Sequence, residues 1–288
     1  VIGNNVTVGE HAFEVNKDYI FKISSYNEGD EKYFYYTFSS PIKNITIGDN
    51  AIILENAFVN ASSVEKITLG AGAKIGKMAF YNCCALKSID LSKAVEIGEY
   101  AFSGDVYYIC QDDSMQVGAV SKEGKYMYTY HAPALEKVDV SSSATIGKYA
   151  FAYCRSLKDV ELGELITEIP EYAFAGCTVI ENIDLSKITK IGDYAFIESG
   201  IKKIDLSSCE SVGEYAFVYC KELSDVTLSP AGTDIGEGTF SYCESLAKVK
   251  NIEFAENLDA YSFAYTAIVD VDLSGAVSLG DRVFLKEE

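Results

Sequence analysis

The sequence predicts a tandem-repeat solenoid of about eleven short coils, a single domain over residues 1–288, and three observations predict it. A tripeptide ending in Phe recurs at Phe13, Phe58, Phe80, Phe102, Phe151, Phe174, Phe196, Phe217, Phe240, Phe263 and Phe284, spaced 21 to 23 residues apart except in two places. Five positions before each Phe stands an apolar residue, usually followed by Gly, as in Ile97-Gly98-Glu99-Tyr100-Ala101-Phe102. Six residues after most of the Phe positions begins a block L-x-x-I-x-L, as at Leu86, Ile89 and Leu91.

A period of this length marks a leucine-rich-repeat-like solenoid, a β-rich α/β superhelix in which a coil buries its apolar side against its neighbours. The last four residues of each L-x-x-I-x-L block alternate inward and outward, so each is read as a short strand, and stacked coils give a parallel sheet. Around each Phe, Ala and a Cys four residues after it share one side of a single helical turn, which predicts a one-turn helix per coil facing the core. Gly before that turn, as at Gly76, Gly98, Gly147, Gly192, Gly213, Gly236 and Gly280, is read as supplying a sharp corner. Pro170 replaces it in one coil. Ser after the strand, at Ser92, Ser141, Ser186, Ser207, Ser229 and Ser274, is expected to bond the loop backbone.

Two insertions interrupt the period, at about 14–40 and 104–132. Each is predicted to be a β-hairpin. In the first, Tyr19 to Ser24 and Lys32 to Phe38 flank Asn27-Glu28-Gly29-Asp30; in the second, Val117 to Ser121 and Lys125 to Tyr130 flank Lys122-Glu123-Gly124, with a further strand at Val106 to Cys110. Ten of the 21 Tyr fall in these insertions. Tyr33, Tyr35, Tyr36, Tyr126, Tyr128 and Tyr130 are therefore a candidate contact patch, since Tyr gives large contact area at low entropic cost. The alternative is that these rings cover the solenoid or one another.

Composition narrows the function classes. With 43 acidic against 24 basic residues, a net charge of −19, a nucleic-acid partner is not expected and anionic membrane surfaces are disfavoured. No apolar run approaches the length needed to span a bilayer. The chain opens Val1-Ile2-Gly3, so an export signal is expected to lie outside these residues or to have been removed. Cys83, Cys154, Cys177, Cys220 and Cys243 occupy the inward repeat position, which predicts free, buried thiols rather than a disulfide framework. His11 and His131 lack metal-ligand or triad-like spacing, and no nucleotide or nucleophile-elbow motif occurs, so neither catalysis nor a cofactor is expected.

The outward strand positions form a ladder in which Asp90, Asp139, Glu161, Asp184, Asp205 and Asp272 are acidic. Two readings stay open: a face that selects basic ligands, or a solvated face kept soluble by charge. Calcium would have to use stacked side chains alone, because no acidic calcium loop is present. Tyr100, Tyr149, Tyr172, Tyr194, Tyr215 and Tyr261 form a column two residues before the Phe, and Tyr153, Tyr219, Tyr242 and Tyr265 one two residues after it, both expected to shield the core edge.

The block Ile-Gly-x-Tyr-Ala-Phe-x-x-Cys-x-x-Leu-x-x-Ile-x-Leu, clearest at Ile146 to Val160 and Val212 to Val226, resembles the repeat of the BspA-like leucine-rich-repeat family over nearly the whole chain. Ala119 to Lys125 is similar to a hairpin that family places between repeats. The resemblance implies a bacterial cell-surface or secreted protein that adheres to host extracellular matrix or plasma proteins, or to other microbial surface proteins. A structural spacer and a glycan-binding surface protein are the alternatives. The repeat specifies fold and leaves the ligand open.

Overall fold

The chain winds into a parallel β-solenoid of about nine turns, described by a computed structural model over residues 1–14, 20–28, 31–38, 41–104, 108–110, 125–128, 133–140 and 145–286. Its axis is the phenylalanine column. Consecutive Phe rings from Phe13 to Phe284 stack with centroids 4.9 to 5.8 Å apart. Eight of these Phe side chains, Phe58, Phe80, Phe151, Phe174, Phe196, Phe217, Phe240 and Phe263, rank among the largest fully buried groups of the core. The count of eleven coils is therefore not the count of full turns. The first Phe belongs to a coil whose strand face is a single bridge from Ile2 to Ile47.

Two parallel ladders form two sides of the coil. The strand face comprises Asn44–Ile47 with Lys66–Leu69, then Ser88–Asp90, Lys137–Val140 and Asp159–Leu162, then Lys203–Asp205, Asp225–Thr227 and Lys248–Lys250. Register places like on like, Ile45 beside Ile67, Val138 beside Ile89 and Val160, and Val226 beside Ile204 and Val249. Contrary to the repeat pattern, residues 182–185 and 270–273 form no strand. The second ladder consists of short strands just ahead of the glycine corner, Thr7–Val8 through Thr145–Ile146 in one sheet and Glu168–Ile169 through Ser278–Leu279 in another.

The third side corrects the predicted helix. No α-helical turn forms there; the segment is a run of tight turns. Residues two before and two after the Phe sit in the left-handed region, with Tyr100, Tyr149, Tyr172, Tyr194, Tyr215 and Tyr261 at φ 54 to 58° and Tyr153, Tyr219, Tyr242 and Tyr265 at 59 to 61°. A helix cannot continue through such residues. Every second amide is also committed to the next coil: Tyr194, Phe196 and Glu198 donate to the carbonyls of Glu214, Ala216 and Val218 at 2.9, 2.8 and 3.0 Å. Left-handed Tyr costs about 1–2 kcal/mol per residue, and ring stacking of about 0.5–1.5 kcal/mol per pair offsets it. Tyr100, Tyr149, Tyr172, Tyr194 and Tyr215 stack at 4.4 to 5.2 Å, and Tyr219, Tyr242 and Tyr265 at 4.4 to 4.7 Å.

The corner glycines are also explained differently from expectation. Those at Gly76, Gly98, Gly147, Gly192, Gly213 and Gly236 have no positive φ. A Cβ on Gly98 would lie 2.5 Å from the carbonyl carbon of Gly76 one coil below, so close coil-to-coil approach, not conformational freedom, excludes a side chain. Gly238 does combine φ 58° with a ring overhead, since its Cβ would meet Tyr215 Cε1 at 2.3 Å.

The insertions pair with each other, a contact that neither insertion's own residue pattern specifies. Ile20–Glu28 and Glu31–Phe38 form the first hairpin, longer than expected, and Tyr108–Cys110 pairs antiparallel with Lys125–Tyr128. Lys125–Tyr128 then runs parallel to Glu31–Phe38, with Lys125 opposite Tyr33 and Tyr126 opposite Phe34, giving one four-stranded sheet. The strand expected at Val117 to Ser121 lies outside the described residues.

Candidate functional site

The strand face brings the predicted acidic ladder together, but most of its carboxylates already have work. Asp90, Asp184, Asp205 and Asp272 each accept the backbone N–H of the residue two later, Ser92, Ser186, Ser207 and Ser274, at 2.9 to 3.0 Å. The hydroxyls of Ser92 and Ser186 donate to the same carboxylates, the latter at 2.6 Å. The serines thus bond the aspartate rather than the loop backbone; Ser229, whose Oγ accepts the N–H of Ala231 at 3.2 Å, does what was expected of them all. These serine hydrogen bonds hold Asp90, Asp184 and Asp272 below the usual carboxylate range. Glu161 pairs with Lys137 at 2.5 Å, and Asp139 lies half-buried between them in sequence order.

A neighbouring outward column alternates in sign over its later coils. Lys203 lies opposite Asp225 and Asp225 opposite Lys248, and the Lys203 ammonium stands 3.1 Å from the Asp225 carboxylate, lowering its pKa. Further inter-coil pairs on other columns join Lys43 to Glu65, Lys74 to Glu96 and Lys202 to Glu181. Exposed pairs of this kind contribute little to stability, typically below about 1 kcal/mol. Their consequence is that the strand face is neither uniformly acidic nor featureless.

Between the coils of Val160 and Lys250 this face holds an open groove of about 530 Å³. Val160, Ile183 and Ile204 line it together with Asp184, Asp205 and Lys203. A smaller groove, about 310 Å³, follows the corner of Gly192, Gly213 and Gly236 and is edged by Asp193, Asp234 and Asp259. Asp193 and Asp234 are committed there to the Glu214 N–H at 2.9 Å and the Asn257 amide at 2.8 Å.

The Tyr patch divides. Tyr33, Tyr35 and Tyr36 lie on the strand Glu31–Phe38 and Tyr126 and Tyr128 on Lys125–Tyr128, so strand pairing gathers them into one sheet at the level of the backbone. Tyr130 lies outside the described residues.

The inward thiols do more than fill space. Cys154, Cys177, Cys220 and Cys243 donate to the carbonyls of Phe102, Phe151, Phe196 and Phe217 one coil below at 3.1 to 3.4 Å. Cys83, Cys154, Cys177, Cys209, Cys220 and Cys243 are free thiols. Burial pushes the Cys220 thiol up to about 12 and Cys209 to about 11, so neither is a nucleophile near neutrality. His11 pairs with Glu14 at 2.6 Å on the surface. Among the described residues no group of three or more His, Cys, Asp or Glu could hold a metal ion, and no helix is long and apolar enough to cross a membrane.

A family model for the BspA type leucine rich repeat region matches residues 2–108 and 144–270 in six copies. No curated protein matches the chain. Solved structures similar to it include the leucine rich repeat protein TpLRR of T. pallidum, 17% identical, over 83% of this chain and 82% of that one, with a TM-score of 0.40. A leucine rich cell surface protein from Faecalibacterium prausnitzii A2-165 is 18% identical over 81% and 87%, with a TM-score of 0.36. A leucine-rich repeat protein from Eubacterium ventriosum ATCC 27560 is 14% identical over 93% of each chain, with a TM-score of 0.35.

Proposed function

The chain belongs to the BspA-type leucine-rich-repeat family, and from that premise we propose that it is an extracellular, cell-surface binding module that holds a protein partner on its strand face. The observation that carries the reading is the groove of about 530 Å³ on that face, into which the outward residues Asp184, Asp205 and Asp225 and Lys203 and Lys250 bring carboxylates and ammonium groups of both signs. A concave surface carrying both signs of charge suits a protein partner of complementary charge, in which the charges set register and encounter rate. The partners it would take are host extracellular matrix or plasma proteins, or surface proteins of other microbes. Family membership supports the surface location.

Glycan binding by stacking on tyrosine finds less support in the described columns. The rings from Tyr100 to Tyr215 spend their faces on one another, whereas a sugar needs an open face.

The test is binding of purified matrix and plasma proteins to the immobilised chain at low and at high salt, with Lys203→Glu and Asp205→Lys. Saturable binding that weakens at least about ten-fold with either reversal and loosens in salt supports the strand face. Binding unmoved by both but lost with alanine at Tyr33, Tyr35, Tyr126 and Tyr128 places the site on the insertion sheet instead. No binding by any of them favours the spacer.

A further inference from the structure

The coil that carries Pro170 is discontinuous with the coil below it on two of its three sides. On the corner side, glycine N–H groups donate to an aliphatic carbonyl one coil below: Gly98 to Ile75, Gly192 to Ile169 and Gly213 to Ile191, each at 2.8 Å. Pro170 occupies that position and has no N–H to give. The ladder ending at Thr145–Ile146 stops there, and a separate six-stranded ladder begins at Glu168–Ile169.

The strand face is interrupted at the same coil. Asp159–Leu162 ends one sheet and Lys203–Asp205 begins the next, with residues 182–185 in neither. Two further interruptions of this face, between Lys66–Leu69 and Ser88–Asp90 and after Lys248–Lys250, have no counterpart on the corner side, where Ala73–Ile75 pairs with Ala94–Ile97 and Asn257–Leu258 with Ser278–Leu279. Only around Pro170, among the described residues, do both ladders break together. The coil below shows it: Ile146, Val160 and Leu162 are partly buried, while their equivalents Ile97, Val138 and Val140 are 0 to 1% exposed.

The third side stays whole. Tyr149, Phe151 and Tyr153 donate to the carbonyls of Glu171, Ala173 and Ala175 at 3.1, 3.0 and 2.7 Å. Phe151 stacks on Phe174 at 5.4 Å and Tyr149 on Tyr172 at 4.5 Å.

From these observations we infer that the Pro170 coil is a joint, at which the two stacks of coils bend about the unbroken column of turns and aromatic rings. Two sides without inter-coil ladders can open or close while the third acts as a pivot. The groove on the strand face spans this gap, from Val160 on one stack across Asn182 to Lys203 on the other. Bending therefore changes its width, and a ligand seated in it favours one curvature. The joint does not depend on the function proposed above; it would exist with the groove empty.

The test compares two pairs of bio-orthogonal spin labels separated by the same number of coils. Ser88 with Lys203 straddles the joint; Asn44 with Asp159 lies within the first stack. A dipolar distance distribution at least about twice as broad for the straddling pair is expected, because hinge motion adds to label motion there. Equal widths overturn the joint. Pro170→Gly restores the donor and matches the other corners, so it is expected to narrow the Ser88/Lys203 distribution towards the control width. An unchanged width in a folded variant overturns the role of Pro170, and the wild-type comparison decides the joint if the variant fails to fold.

Discussion

The thiol of Cys177 donates to the carbonyl of Phe151, 3.2 Å away and one coil below, while the same carbonyl accepts the N–H of Cys154 at 3.2 Å. Two donors from consecutive coils thus meet on one buried oxygen, so the inward cysteine is a cross-coil tie as well as a core side chain.

Cys177→Ala removes one of those donors and leaves a small void, and is expected to destabilise by about 1–3 kcal/mol. Cys177→Ser keeps a donor in a slot that holds Ser199 one coil on, and is expected to cost less. Chemical-denaturant midpoints at unchanged slope check both; a serine variant weaker than the alanine one would refute the tie.

Phe196 has no exposed surface, whereas Phe13, at the first coil, is 43% exposed. Phe196→Ala is expected to cost about 3–5 kcal/mol through the lost burial and the cavity left behind. Phe13→Ala is expected to cost well under half of that, as a partly solvated side chain loses less. Equal losses in thermal or denaturant unfolding would contradict a column that is buried in its middle and open at its end.

Gly98→Ala places a methyl 2.5 Å from the Gly76 carbonyl carbon, backbone that cannot swing aside. Overpacking at a coil-to-coil contact is expected to cost about 1–3 kcal/mol, and the φ of Gly98 contributes nothing to it. A variant as stable as the parent would show that the coils can part at this corner without penalty.

Stability is expected to form a plateau around neutrality and to fall on both sides. Hydrogen bonds from Ser92, Ser186 and Ser274 hold Asp90, Asp184 and Asp272 below 3.8, so their contribution is fully present above that value and is lost as pH falls below it through the lowered folded values. Burial raises Cys220 from 9.0 to about 12 and Cys209 to about 11. Below pH 9 these thiols are protonated in folded and unfolded chains alike. Above it the unfolded chain releases protons that the folded chain retains, so stability falls as pH climbs from 9 towards 12. Melting temperatures across the range check both limbs; an alkaline limb that does not steepen past pH 9 would contradict the buried thiols.

Much of the candidate surface could be read in the residue pattern. Asp90, Asp184, Asp205 and Asp272 fall on one face because a period of two places them outward, and the following serines were visible as a D-x-S signature whose turn-forming role was missed. The left-handed turns also leave a trace in the residue pattern. Asn56, Asn60, Asn82, Gly176 and Gly238 share their two slots with tyrosines, and Asn and Gly are the residues that favour positive φ.

By itself the sequence determined the repeat, the Phe column and the inward cysteines, because those depend on spacing along one chain and on burial. Only the tertiary structure decided that the turns would not be helical, since the competing hydrogen bonds come from a coil about 22 residues away. It alone placed Lys125 beside Tyr33 and set two ladder breaks on one coil. Such pairings are choices between distant backbone groups of equal chemistry, and local pattern carries no information about which of them meet.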